Sequence, residues 1–329
     1  MSNKTLKVIV GVLVFLVIVF PLSVFGMVYL KLDTMHDSTA DESILSQMDY
    51  KNDDSITNIL LCGTDGRPGE TNFRTDAMMI LTVDNKHQSL KLTSLARDTY
   101  IYTPDYGNMK LTETYAYGGI NLLTETIESN FEIDINNYAI VDFYSFMDIV
   151  ETLGGITVDV KENEISELNK FIPETYKWDT TGNKGTIQYI KSAGEQKLNG
   201  YQILSYSRIR KGASGGALER DRRQREVIEG MMQGIKELSI SKYPKLIDTM
   251  LPYVKTNMKP TEIMNIGGQV LGIGNFELKQ LGFPINDGVN GWDAKINGKA
   301  VLEFEPDSIR LLQDFIFEDG DTTENDEIQ

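Results

Sequence analysis

Nine of the ten arginines fall in two windows, 67–97 and 208–225, while the 22 lysines are scattered. Arginine presents a rigid donor fork that matches phosphate and carboxylate oxygens. In a chain with 48 acids against 32 bases, such grouping either builds an anion pocket or leaves two solvated basic faces. The net charge of −16 argues against a nucleic-acid partner, whose binding surface would be basic. With two histidines, His36 and His87, and one cysteine, Cys62, a Ser-His-Asp triad, a multi-histidine metal site, a cysteine zinc cage and an internal disulfide are all disfavoured. Chemistry in this chain falls to carboxylates, arginines, lysines and hydroxyls.

Three segments gather those groups. The first is the loop Gly63-Thr64-Asp65-Gly66-Arg67-Pro68-Gly69-Glu70, followed by Arg74-Thr75-Asp76. Asp65 would end one strand and Asp76 begin the next, so both carboxylates can face one crevice. Two carboxylates without histidine suit Mg²⁺, which is usually held by one or two carboxylates plus substrate phosphates. The alternative is a surface loop in which Asp65 is a turn former. In the second segment, Arg97-Asp98, either a structural ion pair forms or Asp98 holds Arg97 towards an anion. The third joins Arg208 and Arg210 to the run Glu219 to Arg225. If 206–211 is extended, Arg208 and Arg210 share a face. At about 100° per residue, the apolar positions Val227, Ile228, Met231, Ile235 and Leu238 form one stripe. Arg220 and Gln224 fall on that buried face, Arg223 at its edge, and Arg222 and Arg225 towards solvent. A polar residue on a core face near a helix start must find a partner or line a cavity.

The elements that must position these groups alternate between strand and helix. Strands are expected over 56–62, 77–83, 89–95, 138–141, 156–160, 276–283 and 300–304. Helices are expected over 120–129, 143–153, 219–238, 243–254, 260–271 and 306–317. Interleaving of this kind favours an α/β domain layered α/β/α around a mixed sheet. No internal repeat or Pro/Gly-rich linker divides it, so a single domain is expected over 55–318.

The N-terminus is of another kind. From Val8 to Leu30 there are 23 residues without a charge, a helix of roughly 34 Å, enough to cross a bilayer core. Lys4 and Lys7 flank one end and acids dominate the other, which predicts a signal anchor at 8–30 with a cytoplasmic tail at 1–7 and the rest outside the cell. Residues 31–54 read as an acidic stalk and 319–329 as an acidic tail.

Taken in order, several pieces resemble the LytR–CpsA–Psr family of Gram-positive cell-wall proteins. They are Gly63-Thr64-Asp65, Arg74-Thr75-Asp76, Arg97-Asp98-Thr99, Tyr115-Ala116-Tyr117-Gly118-Gly119, Gly154-Gly155-Ile156-Thr157-Val158, Tyr206-Ser207-Arg208-Ile209-Arg210-Lys211, and Arg220 with Arg223-Gln224. The resemblance covers about 56–238. Ala217 stands where an acid usually precedes the Arg220 helix, and Lys110-Leu111-Thr112 where Lys-Ile-Asn is usual. What the resemblance implies is a phosphotransferase that moves a glycopolymer (teichoic acid or capsular polysaccharide) from a polyprenyl-pyrophosphate carrier to a peptidoglycan hydroxyl. It further implies Mg²⁺ on Asp65 and Asp76, and a catalytic set of Arg97, Asp98, Arg208, Arg210, Arg220 and Gln224. Arg74, Lys110 and Arg223 would be additional pyrophosphate ligands. Asp76 or Asp98 would take the hydroxyl proton. The competing readings are a polyprenyl-phosphate-binding module or pyrophosphatase, and a membrane-linked regulator of cell-wall genes. A cytoplasmic tail of about seven residues disfavours direct DNA contact by the last of these.

Overall fold

The computed structural model describes residues 20–36, 50–64, 74–135, 137–179, 184–209, 217–239, 242–250, 254–274 and 278–318. Asp65 and Arg210 lie outside the described residues, as do 1–19, most of the stalk and the acidic tail. In chain order the elements are α1 (Phe20–Asp33), β1 (Ile56–Thr64), β2 (Thr75–Asp84), β3 (Ser89–Leu95), β4 (Tyr100–Thr103), β5 (Gly107–Lys110), α2 (Leu111–Phe131), β6 (Asn137–Asp142), α3 (Phe143–Leu153), β7 (Ile156–Val160), α4 (Glu162–Trp178), β8 (Gly194–Leu198), α5 (Gly200–Ser207), α6 (Ala217–Glu237), α7 (Tyr243–Met250), β9 (Lys255–Thr256), α8 (Pro260–Ile273), β10 (Leu278–Phe283), β11 (Gly291–Ile296), β12 (Lys299–Phe304) and α9 (Ile309–Phe317).

Six strands form a mixed sheet in the order β10-β3-β2-β1-β6-β9. β1 runs parallel to β6 and β10 parallel to β3, while β2 is antiparallel to both β1 and β3. Four strands therefore point the same way. The period-two alternation of side chains divides the core. Leu60, Cys62, Met78, Ile80, Tyr138 and Ile140 face α2 and α9 in one cluster. Their neighbours Leu61, Met79, Leu81 and Leu92 face α6 and α8 in another. Helices thus cover both faces, and the expected layering around a mixed sheet is present.

A third cluster fills the space between α4, α5, β7, β8 and the N-terminal half of α6, with Tyr201, Leu204, Tyr206 and Val227 at its centre. Here the structure departs from expectation. Residues 200–207 form a helix, so 206–208 is not extended. Asn199 caps that helix by accepting from the Gln202 N–H at 3.1 Å while Gln202 Oε1 accepts from the Asn199 N–H, also at 3.1 Å. Arg208 ends it in a helical conformation, with φ −94° and ψ −7°. A shared strand face for Arg208 and Arg210 is accordingly withdrawn for Arg208.

Of the apolar run 8–30, only 20–30 is described, within α1. Among the described residues no helix is long and apolar enough to cross a membrane. Leu32 and Met35 are buried with Val254, and the Met35 carbonyl accepts from the Thr256 N–H at 3.0 Å. Within the first residues of the expected stalk, Leu32 and Met35 are therefore packed on the domain, while Asp33 and Thr34 between them are exposed.

Candidate functional site

The C-terminal ends of the co-directional strands gather the polar groups, as ligands do in open α/β sheets. β3 ends at Leu95, and the chain then turns, with the Thr99 N–H bonded to the Ala96 carbonyl at 3.1 Å. Arg97 sits in that turn. Its Nη1 pairs with Asp76 Oδ1, at the start of β2. Asp98 is 4.0 Å from Arg97 Nε and is held instead by Lys110 Nζ at 2.7 Å. The carboxylate that holds Arg97 is thus Asp76, brought across the sheet by strand register, rather than the adjacent Asp98. The turn is fastened to the start of α2, where the Thr112 N–H donates to the Arg97 carbonyl at 3.0 Å and Thr112 Oγ1 to the Thr75 carbonyl at 2.7 Å. Arg74 stands exposed, 3.8 Å from Glu113 of α2.

The start of α6 supplies the second set. Arg220 is buried and donates through Nη2 to the Asp221 carboxylate at 3.2 Å. Arg97 Nε and Arg220 Nε are buried donors without an acceptor among the described residues. Such orphan donors are costly unless an anion arrives to meet them. Burial pushes the Asp221 carboxyl up to about 6; Arg220 and Arg225 oppose the shift, and the charge of Asp98 adds to it. The hydrogen bond from Arg225 to Ser94 Oγ holds the first turns of α6 against the end of β3, which leads into the Arg97–Asp98 turn.

The Asp221 shift sets a pH dependence. The folded chain holds a proton on Asp221 where the unfolded chain has released it, so this group's stabilisation is present at pH 4 and is lost as pH rises through about 6. The loss is on the order of 3 kcal/mol. Urea unfolding of wild type and Asp221→Asn between pH 4 and 7 should show the difference in stability shifting in favour of the variant as pH rises. Parallel profiles would remove Asp221 as the cause.

Beneath these groups lies an apolar cavity of about 170 Å³. Its floor is the sheet, at Leu61, Gly63, Ala77, Met79 and Val141, and its walls come from α3, α5 and α6. Among the lining residues are Ser207, adjacent to Arg208, and Gln224, one turn after Arg220. Ala77 and Gly63 are adjacent to Asp76 and Thr64 in β2 and β1. The helical-face reading of Gln224 thus has its outcome, since Gln224 lines a cavity. Arg208 is sandwiched 4.8 Å from the rings of both Phe171 and Trp178 and paired with Glu174 at 3.1 Å.

Three arginines of α6 depart from the single-face expectation. Arg223 is fully buried, donating to Glu164 at 2.7 Å and to the Ile209 carbonyl at 3.2 Å, with Glu219 at 3.6 Å. Its donors are taken by internal acceptors. Arg222 is paired with Glu219, Glu226 and Glu164 rather than solvated. Arg225 donates to Ser94 Oγ and to Gln280 at 3.1 Å, fastening α6 to β3 and β10. The reason is that α6 is buried on two sides. On the other side, a Cβ at Gly230 would come within 2.4 Å of Ile156 Cγ2 in β7, so only glycine permits that approach. Sequence reasoning did not find Asp221 or Glu164. An acid beside Arg220 was a local signal for the first, whereas Glu164 meets Arg223 across 59 residues and leaves none.

Residues 22–314 match the LytR_cpsA_psr family. The chain is 30% identical over 290 residues to the polyisoprenyl-teichoic acid–peptidoglycan teichoic acid transferase TagT of Bacillus subtilis, spanning 85% of each chain. It is 32% identical over 223 residues to TagU, a transferase of the same description from Bacillus licheniformis, spanning 67% of this chain and just under two thirds, 66%, of that one. The solved structure of YwtF (TagT) with bound octaprenyl pyrophosphate lipid has the same fold, with a TM-score of 0.62 at 21% identity over 86% of this chain and 98% of that one.

Proposed function

The chain belongs to the LytR_cpsA_psr family, and from that premise we propose that it is a membrane-anchored extracellular phosphotransferase that moves a glycopolymer from a polyprenyl-pyrophosphate carrier to peptidoglycan. The observation that carries the reading is the pairing of an apolar cavity with buried, unfilled arginine donors around the same strand ends. An isoprenoid chain needs an apolar enclosure and a pyrophosphate needs fixed cations, and here the two adjoin. The relatives' description as teichoic acid transferases, and the octaprenyl pyrophosphate bound by TagT, support the same assignment.

In the reaction an acceptor hydroxyl attacks the glycan-side phosphorus, the P–O bond to the lipid-side phosphate breaks, and polyprenyl phosphate leaves. The hydroxyl proton passes to a carboxylate, Asp76 or Asp98, both in the ion-pair network around Arg97. Arg97 and Arg220 point fixed donors at charge that develops on the phosphoryl oxygens, an arrangement that needs no reorganisation as the bond breaks. Arg208 is held by two rings and Glu174, so its guanidinium is already oriented. Arg210 and Lys110 are assigned to the same anion, and Gln224 to a phosphate oxygen at the cavity.

Asp76 uses Oδ1 on Arg97 and is about a quarter exposed, at 27%, so its second oxygen is available to a hard cation. Among the described residues this is one carboxylate, which suits Mg²⁺ held largely by substrate phosphates, and Asp65, outside the described residues, is assigned as the second protein ligand from the sequence. When bound, Mg²⁺ would neutralise pyrophosphate charge.

The test is to incubate the protein with a lipid-linked, radiolabelled glycopolymer, with and without peptidoglycan. Label that becomes covalently attached to peptidoglycan, with release of polyprenyl phosphate, supports transfer. Label released equally without acceptor would assign a pyrophosphatase. Chelation by EDTA should stop wild-type turnover and Mg²⁺ restore it, and Asp76→Ala should lose both that dependence and most of the activity. Chelator-insensitive turnover would defeat the metal assignment. For topology, protease added to intact protoplasts should digest the domain, and protection would place it inside the cell.

A further inference from the structure

Tyr102, Tyr106 and Tyr117 stand out from the surface beside the site, 56%, 50% and 57% exposed. Tyr106 and Tyr117 come from different elements, yet their ring centroids lie 5.1 Å apart at 48°. Each is presented by unusual backbone. Tyr106 occupies the β4–β5 turn between Asp105, at φ 61°, and Gly107, at φ 77°. A non-glycine residue in that left-handed region is uncommon and persists only where its surroundings impose it. Tyr117 is the last residue before α2 breaks at Gly118 and Gly119, the latter at φ 65°. A Cβ at Gly118 would come within 2.5 Å of Leu122 Cβ, so the break depends on glycine.

A run of polar groups joins this ring pair to the reacting centre. Glu113 lies four residues before Tyr117 on the same face of α2, about 6 Å along the axis. Its carboxylate is 3.8 Å from Arg74 and 3.8 Å from Lys299 of β12. Arg74 in turn precedes β2, two residues before Asp76. The surface therefore passes from aromatic rings, through a charged strip, to the place where the acceptor hydroxyl must arrive.

We propose that Tyr106 and Tyr117 form a stacking platform for the sugar rings of the acceptor glycan, with Glu113 and Arg74 contacting its polar substituents. The proposal rests on the transferase reading and names a binding site for its second substrate. A pyranose ring has an apolar C–H face and a rim of hydroxyls, and a tyrosine offers the complementary apolar face with a polar edge. With only two side-chain torsions, tyrosine also loses little freedom on binding. A lipid surface is the other candidate for exposed aromatics. Here the rings adjoin a strip of mixed charge, Asp105 and Glu113 with Arg74 and Lys299, rather than the cluster of basic residues that holds a surface on an anionic bilayer.

The experiment uses full-length protein in detergent micelles and a soluble oligosaccharide of alternating N-acetylglucosamine and N-acetylmuramic acid. Acceptor and donor KM are measured for wild type, Tyr106→Ala, Tyr117→Ala and Tyr117→Trp, together with oligosaccharide binding by calorimetry and the thermal midpoint of each. The alanine variants should raise acceptor KM and oligosaccharide Kd about tenfold, with donor KM and midpoint unchanged. Tyr117→Trp, which keeps an aromatic face, should restore both towards wild type. Transfer by wild type with an acceptor KM indifferent to both tyrosines overturns the platform and leaves the transferase reading standing. Tyrosine-dependent oligosaccharide binding without transfer does the reverse. Alanine variants that weaken binding to anionic phospholipid vesicles while leaving oligosaccharide binding intact would make the patch a membrane contact and overturn the proposal.

Discussion

Arg220→Ala is expected to lower kcat/KM for transfer by about 10²–10³-fold, or roughly 3–4 kcal/mol, the scale for removing one preorganised donor to a developing charge. The expectation rests on burial and on the unfilled Nε donor. Arg222 is the control, two residues on in the same basic run. Its guanidinium is engaged by Glu164, Glu219 and Glu226, so Arg222→Ala should keep activity within a few-fold. Were the run only an electrostatic patch, both variants would lose donor affinity modestly and equally, and salt would mask the loss. Thermal midpoints measured beside the rates separate catalysis from folding. Equal activity losses in two folded variants would sink the pocket assignment.

Glu164→Gln should destabilise the fold by about 3 kcal/mol, because it removes the buried counter-charge of Arg223 and leaves the more distant, partly exposed Glu219 at 3.6 Å. Glu164 Oε1 takes Arg223 Nε at 2.7 Å, and Oε2 takes the Lys161 N–H at 3.0 Å at the start of α4. Glutamine retains an acceptor for the cap, so the loss reports the ion pair. The double variant Glu164→Leu/Arg223→Met should recover most of the stability, since an apolar pair of similar volume avoids the desolvation of two charges. Urea midpoints at constant m-value give the comparison. The double variant also isolates Arg223 from the donor. A folded protein that has lost donor binding would show that Arg223 touches pyrophosphate, whereas intact binding would confine it to holding α6 against α4.

Much of this arrangement was determined by the sequence alone. The runs that became β1 and β2 are β-branched and aliphatic over most of their length, as strands covered on both faces are, and their burial is nearly continuous. Phe143–Leu153 and Ile156–Val160 were bounded by Gly154-Gly155, and both residues adopt positive φ, at 81° and 94°. The apolar stripe of α6 placed Arg220 and Gln224 inward, and both are there, because a helix's own periodicity needs no partner to be read. Residues 200–207 were not legible as a helix, since eight residues that include a glycine, two tyrosines and two serines have weak local preference. Their helix depends on the Asn199–Gln202 cap and on burial against α3 and α4. Only tertiary structure decided the rest. A helical wheel assumes one buried face, and α6 has two, so Arg222, Arg223 and Arg225 found carboxylates, carbonyls and a serine where solvent or a ligand had been expected. Asp76 rather than Asp98 holds Arg97 because β1, β2 and β3 meet in one register. An ion pair is fixed by distance in space, and the chain order of two residues says nothing about that distance until the sheet is formed.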